Sequence, residues 1–160
     1  MADISIRPLG SISEAETCAH LMATSEPWLT LGRNYGASLN ILQDESRERY
    51  VAHKNGALAG FLVLNMRGAF VGYIQTVCVA AESRNRGIGT ELIRFAEEHI
   101  FKEHPNVFMC VSSFNTSARE LYERLGYRVV GELSDYIAPG HSEILLRKTR
   151  GSISTYHRGT

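Results

Sequence analysis

The sequence holds little that would let it fold by anything but an ordinary apolar core. Only three of its 160 residues are cysteine. Cys18, Cys78 and Cys110 are odd in number, far apart and without a C-x-x-C pair, which argues against a disulfide framework or a cysteine zinc site and suits buried thiols in a reducing cytosol. The six histidines are scattered as well, and His99 and His104, five apart, would not share a helix face as an i, i+4 ligand pair does. No metal is expected. Neither charge is in surplus: 17 Lys+Arg face 17 Asp+Glu, so the basic excess with which nucleic-acid binders displace counterions is missing. Apolar runs such as Ala57 to Leu64 fall far short of the ~20 residues that a bilayer-spanning helix needs. The opening MADISIRPLG lacks the charged start, apolar middle and small-residue cleavage site of a secretory signal. No nucleic-acid partner, no membrane and a cytoplasmic location are therefore expected.

What is present suffices for one globular domain. Apolar residues make up 44% of the chain, and a chain of this length buries roughly two thirds of its unfolded surface. At the start, ISIRP alternates like a strand. Ser13 and Glu16 then have capping-box spacing before a helix with Ala15, Cys18, Ala19 and Met22 on one face. Pro27 breaks that helix in EPWLTLGRNY, and a second helix is expected over about Ala37 to Arg47. The period then turns extended. Tyr50 to Lys54 and Ala57 to Leu64 are joined by Asn55-Gly56, a strong hairpin signal, and Phe70 to Val79 is a third strand. A long helix presents Ile88, Leu92, Phe95, Ala96 and Ile100. Asn106 to Ser112 reads as a strand, Ala118, Leu121, Tyr122 and Leu125 as one more helix stopped at Gly126, and Tyr127 to Leu133 and Ser142 to Lys148 as closing strands. The order β-α-α-β-β-β-α-β-α-β-β is a mixed α/β layer. A single domain is expected over residues 1–149, with a flexible tail over 150–160.

The chemistry concentrates in VCVAAESRNRGIGTELI. A strand ends near Val79, a loop presents Arg84 to Gly89, and a helix follows. Gly87 and Gly89 allow close backbone approach, and the free N–H groups at a helix start favour phosphate. Arg84 or Arg86 adds charge. The G-x-x-x-x-G-K-[ST] loop is absent, and the dinucleotide fingerprint fails because Leu92 stands where its third glycine belongs. A strand-to-helix turn with two solvated arginines remains the bland alternative.

R-x-x-G-x-G at Arg84 to Gly89, preceded by V-x-V at Val77 to Val79, resembles the acetyl-CoA-binding signature of the GNAT acetyltransferases, and FNTSARELYERLGY resembles that family's second conserved stretch. The resemblance covers residues 3 to 149. It implies a mostly antiparallel, twisted central sheet of about seven strands with helices on both faces, parted so that acetyl-CoA sits in the gap. Backbone groups of Val77, Cys78 and Val79 would pair with the pantetheine arm, and amides from Arg84, Asn85, Arg86, Gly87, Ile88, Gly89 and Thr90 would hold the pyrophosphate. Asn115 and Ala118 would contact the cofactor, with Tyr122 near the sulfur. On their own terms Asn115 is a good helix N-cap and Tyr122 a core tyrosine.

The implied reaction is direct attack of an amine on the acetyl carbonyl in a ternary complex. Tyr122, with an unperturbed pKa of ~10, would protonate the departing thiolate. Many members carry a glutamate on the strand before the phosphate loop. Here that position is Gln75, which leaves two routes open: Gln75 holds a water that relays the proton, or the amine arrives already neutral. The ribosomal-protein alanine acetyltransferases have a glutamate on the next strand where this sequence has Cys110, which argues against such substrates. The acceptor, a small-molecule or peptide amine, is expected against Trp28, Arg33, Tyr35, Tyr136 and His141, with Asp135 nearby. Arg33 suits an acceptor bearing carboxylate or phosphate, while Asp135 and Glu143 suit a polyamine or lysine. Two other functions stay open: a non-catalytic acyl-CoA-binding sensor of the same fold, and a nucleotide-binding regulator. A homodimer, the commonest assembly of soluble enzymes, also stays open.

Overall fold

The computed structural model describes residues 3–157. The last three residues of the expected tail, and Met1 and Ala2, lie outside the described residues. The order is β1 (Ile4–Pro8), α1 (Ile12–Ala23), α2 (Tyr35–Gln43), β2 (Glu48–Lys54), β3 (Ala57–Asn65), β4 (Tyr73–Val79), α3 (Ile88–Phe101), β5 (Asn106–Ser112), α4 (Thr116–Arg124), β6 (Arg128–Leu133) and β7 (Glu143–Thr149), with short 3-10 turns at Ala81–Ser83 and Ile153–Thr155. This is the element order read from the sequence. Seven strands form one sheet in the spatial order β1-β2-β3-β4-β5-β7-β6. Every neighbouring pair is antiparallel except β4 and β5.

Alternation along the strands divides the core between two faces. Val51, Phe61 and Val63 meet Ala15, Cys18 and Met22 of α1 and Leu42 of α2. Ala52, Leu62 and Leu64 meet Ile88, Leu92, Ile93, Ala96 and Ile100 of α3, with Ala118, Tyr122 and Leu125 of α4 against the same cluster. The β2–β3 hairpin turns at Asn55 and Gly56, whose φ angles of 51° and 83° are those of the turn that Asn-Gly favours.

Several boundaries differ from the sequence reading. The N-cap of α1 is Ser11, not Ser13: Ser11 Oγ accepts from Glu14 N at 3.1 Å, and Glu14 Oε1 in turn accepts from Gly10 N at 2.8 Å. The pattern S-x-x-E occurs twice here, and the earlier copy forms the cap. The second helix starts at Tyr35, capped by Asn34, and stops at Gln43, because Asp44 Oδ1 takes the Ser46 amide and hydroxyl into a turn. The third strand begins at Tyr73 rather than Phe70; Gly68 and Gly72 both have positive φ, and the half-exposed Phe70 ring stacks on Phe108 at 5.0 Å. Beyond β7, residues 150–156 lie along the end of α3. Arg150 N donates to Pro105 O, the Arg150 guanidinium covers the Phe101 ring at 4.1 Å, and the Tyr156 hydroxyl donates to Phe101 O.

Gly72 is where the chain passes closest to α3 and β5. A Cβ there would lie 2.6 Å from Asn106 O and 2.7 Å from Ile100 Cγ2, at φ 85°. Gly72→Ala is expected to cost about 2 kcal/mol or more through backbone strain and forced displacement, a fall of about 4–8 °C in thermal midpoint for a domain of this size. Calorimetry of the two proteins checks it, and an unchanged midpoint would contradict the close packing.

Candidate active site

Parallel pairing between β4 and β5 is limited to Tyr73 with Phe108 and Ile74 with Met109. From Gln75 to Val79, β4 is bonded on one edge only, to β3. A bulge accompanies the parting: Val63 pairs with Thr76 and Leu64 with Ile74, so Gln75 is the extra residue. The bulge changes which side chains face where. Ile74 and Val77 pack with the α3 cluster, whereas Cys78 packs with α1. The space between the strands is a cleft of about 390 Å³, walled by Tyr73–Val79 and Met109–Ser112.

The expected cofactor residues gather around this cleft. Val77, Cys78, Val79, Arg84, Gly89, Asn115, Ala118 and Tyr122 all line it. Asn85 and Gly87 take positive φ of 59° and 81°, the kind of backbone from which anion-binding nests are made. Gly87 is the N-cap of α3 and supplies no side chain to cap it. Gly87 needs its positive φ, but Gly89 does not: a Cβ there would rest 3.7 Å from Val79 Cγ2, an ordinary contact. The fold has room for a side chain at position 89, and its absence leaves the helix start open. Ile88 is buried in the core, so only its backbone can face a ligand. Arg86 is exposed, and Arg84 folds back so that its Nε donates to Val79 O at 3.3 Å. Asn115 Oδ1 caps α4 by accepting from Ala118 N at 3.4 Å, the structural role open to it from the sequence.

Tyr122 stands on the α4 side of the cleft and its hydroxyl makes no hydrogen bond among the described residues; burial pushes its pKa up to about 12. Gln75 is also in the lining, with Oε1 accepting from Arg47 Nε at 2.9 Å.

The expected acceptor residues separate. Trp28 and Arg33 line the cleft. Tyr35 does not: it opens α2 and stacks on His20 at 4.3 Å. His141 packs edge-on against Phe114 at 5.3 Å, and Tyr136 is exposed, so neither forms the cleft wall. Asp135 serves the β6–β7 loop, where Oδ1 accepts from Gly140 N at 2.7 Å. The sequence reading overlooked Tyr73, Ser112 and Ile137, which line the cleft; Glu143, named there as a carboxylate suited to a polyamine or lysine, lines it too. Glu143 heads β7 opposite Ser112, and alternation sends both away from the α3 cluster in which their neighbours Val111 and Ile144 sit. The Glu143 carboxyl is buried with Oε2 unpartnered among the described residues. Desolvation raises its pKa, while Ser112, Arg33 and His141 pull the other way. No strand-local pattern marks such a residue.

All three cysteines are free thiols, Cys18 and Cys78 buried and Cys110 partly so. Burial pushes Cys18 and Cys78 up to about 12 and raises Cys110, which touches Tyr73. Among the described residues no group of histidines, cysteines and carboxylates is placed to hold a metal ion, and no helix is long and apolar enough to cross a membrane.

Comparison with known proteins gives one family. The model of the acetyltransferase (GNAT) family matches residues 11–127. An uncharacterized N-acetyltransferase of Methanocaldococcus jannaschii is 33% identical over 107 residues, 63% of this chain and 65% of that protein. The blasticidin-S acetyltransferase of Streptomyces morookaense is 31% identical over 99 residues, 62% of this chain and 71% of that protein. The fold superposes on an aminoglycoside 6'-N-acetyltransferase complexed with coenzyme A with a TM-score of 0.72 at 17% identity, covering 91% of this chain and 96% of that one.

At pH 8 a thiol with a pKa of about 12 is thiolate in about one molecule in 10⁴. Cys18 and Cys78 should therefore take up iodoacetamide only after unfolding, as peptide mass spectrometry of native and denatured samples would show. Rapid labelling of either in the native protein would contradict the packing.

Proposed function

The chain belongs to the acetyltransferase (GNAT) family, and from that premise we propose that it transfers the acetyl group of acetyl-CoA to an amine by direct attack, with Tyr122 as general acid. One observation carries this reading: a single cleft joins the unpaired edge of β4, the uncapped start of α3 and the free hydroxyl of Tyr122.

Each part has a physical role. Val77–Val79 have no strand partner on the cleft side, although the Arg84 side chain donates to Val79 O, and an extended amide-bearing arm suits this edge as an added strand would. The amides of Arg84–Thr90, with Asn85 and Gly87 at positive φ, suit a pyrophosphate, and Arg84 and Arg86 stand beside it as cations. Asn115 keeps its side-chain NH₂ free while its oxygen caps α4. A main-chain N–H near Val79 is the candidate for polarising the acetyl oxygen. Bound acetyl-CoA supplies the activated thioester carbonyl and the thiolate leaving group.

With a pKa of about 12, Tyr122 keeps its proton through neutral and mildly alkaline pH, so it is always ready to donate. Its deprotonated form, left without a hydrogen-bond donor in a buried place, recovers a proton readily. Gln75 enters as the holder of a relaying water: Arg47 occupies one side of its amide oxygen and leaves the NH₂ to orient solvent.

Tyr122→Phe should lower turnover about 100-fold, within the range that a positioned acid supplies, and leave the dissociation constant of acetyl-CoA within about twofold. Undiminished release of free CoA would take the tyrosine out of the mechanism. Thermal shift separates the broader alternatives, since a ligand that binds the native state raises its midpoint. Stabilisation by acetyl-CoA is expected, and stabilisation by ATP alone would overturn the assignment. Acetyl-CoA binding with no CoA release from any amine would identify a non-catalytic module.

A further inference from the structure

Arg33 and Glu143 reach the same cleft from distant parts of the chain, one from the turns between α1 and α2 and the other from the head of β7. Neither charge is held in an ion pair among the described residues. The partly buried Arg33 guanidinium makes no ion pair or side-chain hydrogen bond among the described residues, and Glu143, 4% exposed, has an unpartnered Oε2. The two are near enough to feel each other's field but form no ion pair. Other neighbours do not resolve this. Ser112, Tyr73 and Cys110 are neutral, His141 acts on Glu143 from a distance without forming an ion pair with it, and Glu26, exposed at the rim, accepts from the Thr30 amide at 3.2 Å. An unpaired buried charge costs several kcal/mol, and the fold gains nothing visible from either.

A ligand that brings the opposite charges removes both costs. An amine arriving as ammonium satisfies Glu143, but a purely cationic polyamine would set a second like charge toward Arg33. An anion alone would leave Glu143 worse off. We infer that the acceptor is a zwitterion, an amine whose ammonium docks at Glu143 and whose own oxyanion, carboxylate or phosphate, docks at Arg33. This rests on the acetyltransferase reading above. Glu143 is then also the first proton acceptor: an ammonium N–H bond breaks, an O–H bond forms on the carboxylate, and the nitrogen lone pair is freed for attack. Tyr122 lies on the α3 and α4 side of the sheet and Glu143 on the α1 and α2 side, so the two proton transfers happen on opposite faces of the gap.

The test measures CoA release from acetyl-CoA with L-amino acids against their amides, and with O-phosphoethanolamine against ethanolamine, alongside calorimetric binding of the same compounds to the CoA-loaded protein. One oxyanion-bearing member should be preferred by at least about 30-fold in kcat/KM, the low end of what losing one partner of a buried charge pair costs. Whether the carboxylate or the phosphate pair shows it identifies the source. Arg33→Gln should collapse that preference to a few-fold by lowering kcat/KM for the oxyanion-bearing partner far more than for the uncharged one, and Glu143→Gln should lower kcat for both partners. Both variants should keep their stabilisation by acetyl-CoA, which shows that they fold. Equal use of the charged and uncharged partners, or an Arg33→Gln loss shared by both, would overturn the inference while the acetyltransferase reading stands. Zwitterion binding to the CoA-loaded protein without CoA release would uphold the recognition and reject the transfer reading. Absence of both binding and turnover for every oxyanion-bearing compound would overturn the inference.

Discussion

A short stretch of parallel pairing, Tyr73 with Phe108 and Ile74 with Met109, joins the two halves of the sheet, and everything functional lies beyond the point where it stops. Parallel neighbours require a crossover, here α3, and that helix packs on β1, β3, β4 and β5 at once. It therefore splints the sheet where the hydrogen-bond ladder fails. Gly72 lets β4 start tight against α3 and β5, and the bulge at Gln75 turns the strand as it leaves its neighbour. Apolar packing on both faces holds the strands apart, so the backbone groups of residues 75 to 79 stay available. An open ladder inside a packed domain is costly in polar desolvation, and a bound extended arm is the partner that suits it.

The local parts of this arrangement were legible in the sequence. Asn55-Gly56, the apolar face of α3, the caps at Asn115 and Gly126 and the glycine loop each follow from rules that act over a few residues. Asn34 and Ala37 have ordinary capping spacing, but Pro27 and the turns after it obscure where the second helix begins. Two overlapping S-x-x-E pairs precede α1, and local spacing alone does not choose Ser11 over Ser13. The parting of the strands rests on pairing between segments some thirty residues apart and reached the reading only through family resemblance. Glu143 is legible in the sequence as a carboxylate suited to an acceptor amine, but its burial is not. In HSEILLRK it stands at the edge of a strand, and only β7's register beside Ser112 shows that it is buried.

Burial gives the titratable groups around the cleft a common bias. Tyr73, Cys78, Cys110, Tyr122 and Glu143 all have raised pKa values and Arg33 a lowered one, each with desolvation as the first cause. Each shift favours the neutral form, so the cleft resists any lone charge. Acyl transfer to an amine needs the opposite at two moments, when the amine sheds its proton and when sulfur departs as thiolate. Under the proposed scheme neither charge persists, because a carboxylate faces the first and a protonated phenol the second. The same desolvation makes Glu143 a better base than an exposed carboxylate and keeps Tyr122 protonated. It also sets a condition on the acceptor. An ammonium carried into such a cleft beside Arg33 is unfavourable unless its own anion comes with it, so the apolar packing that parts the strands also disfavours a cation that arrives alone.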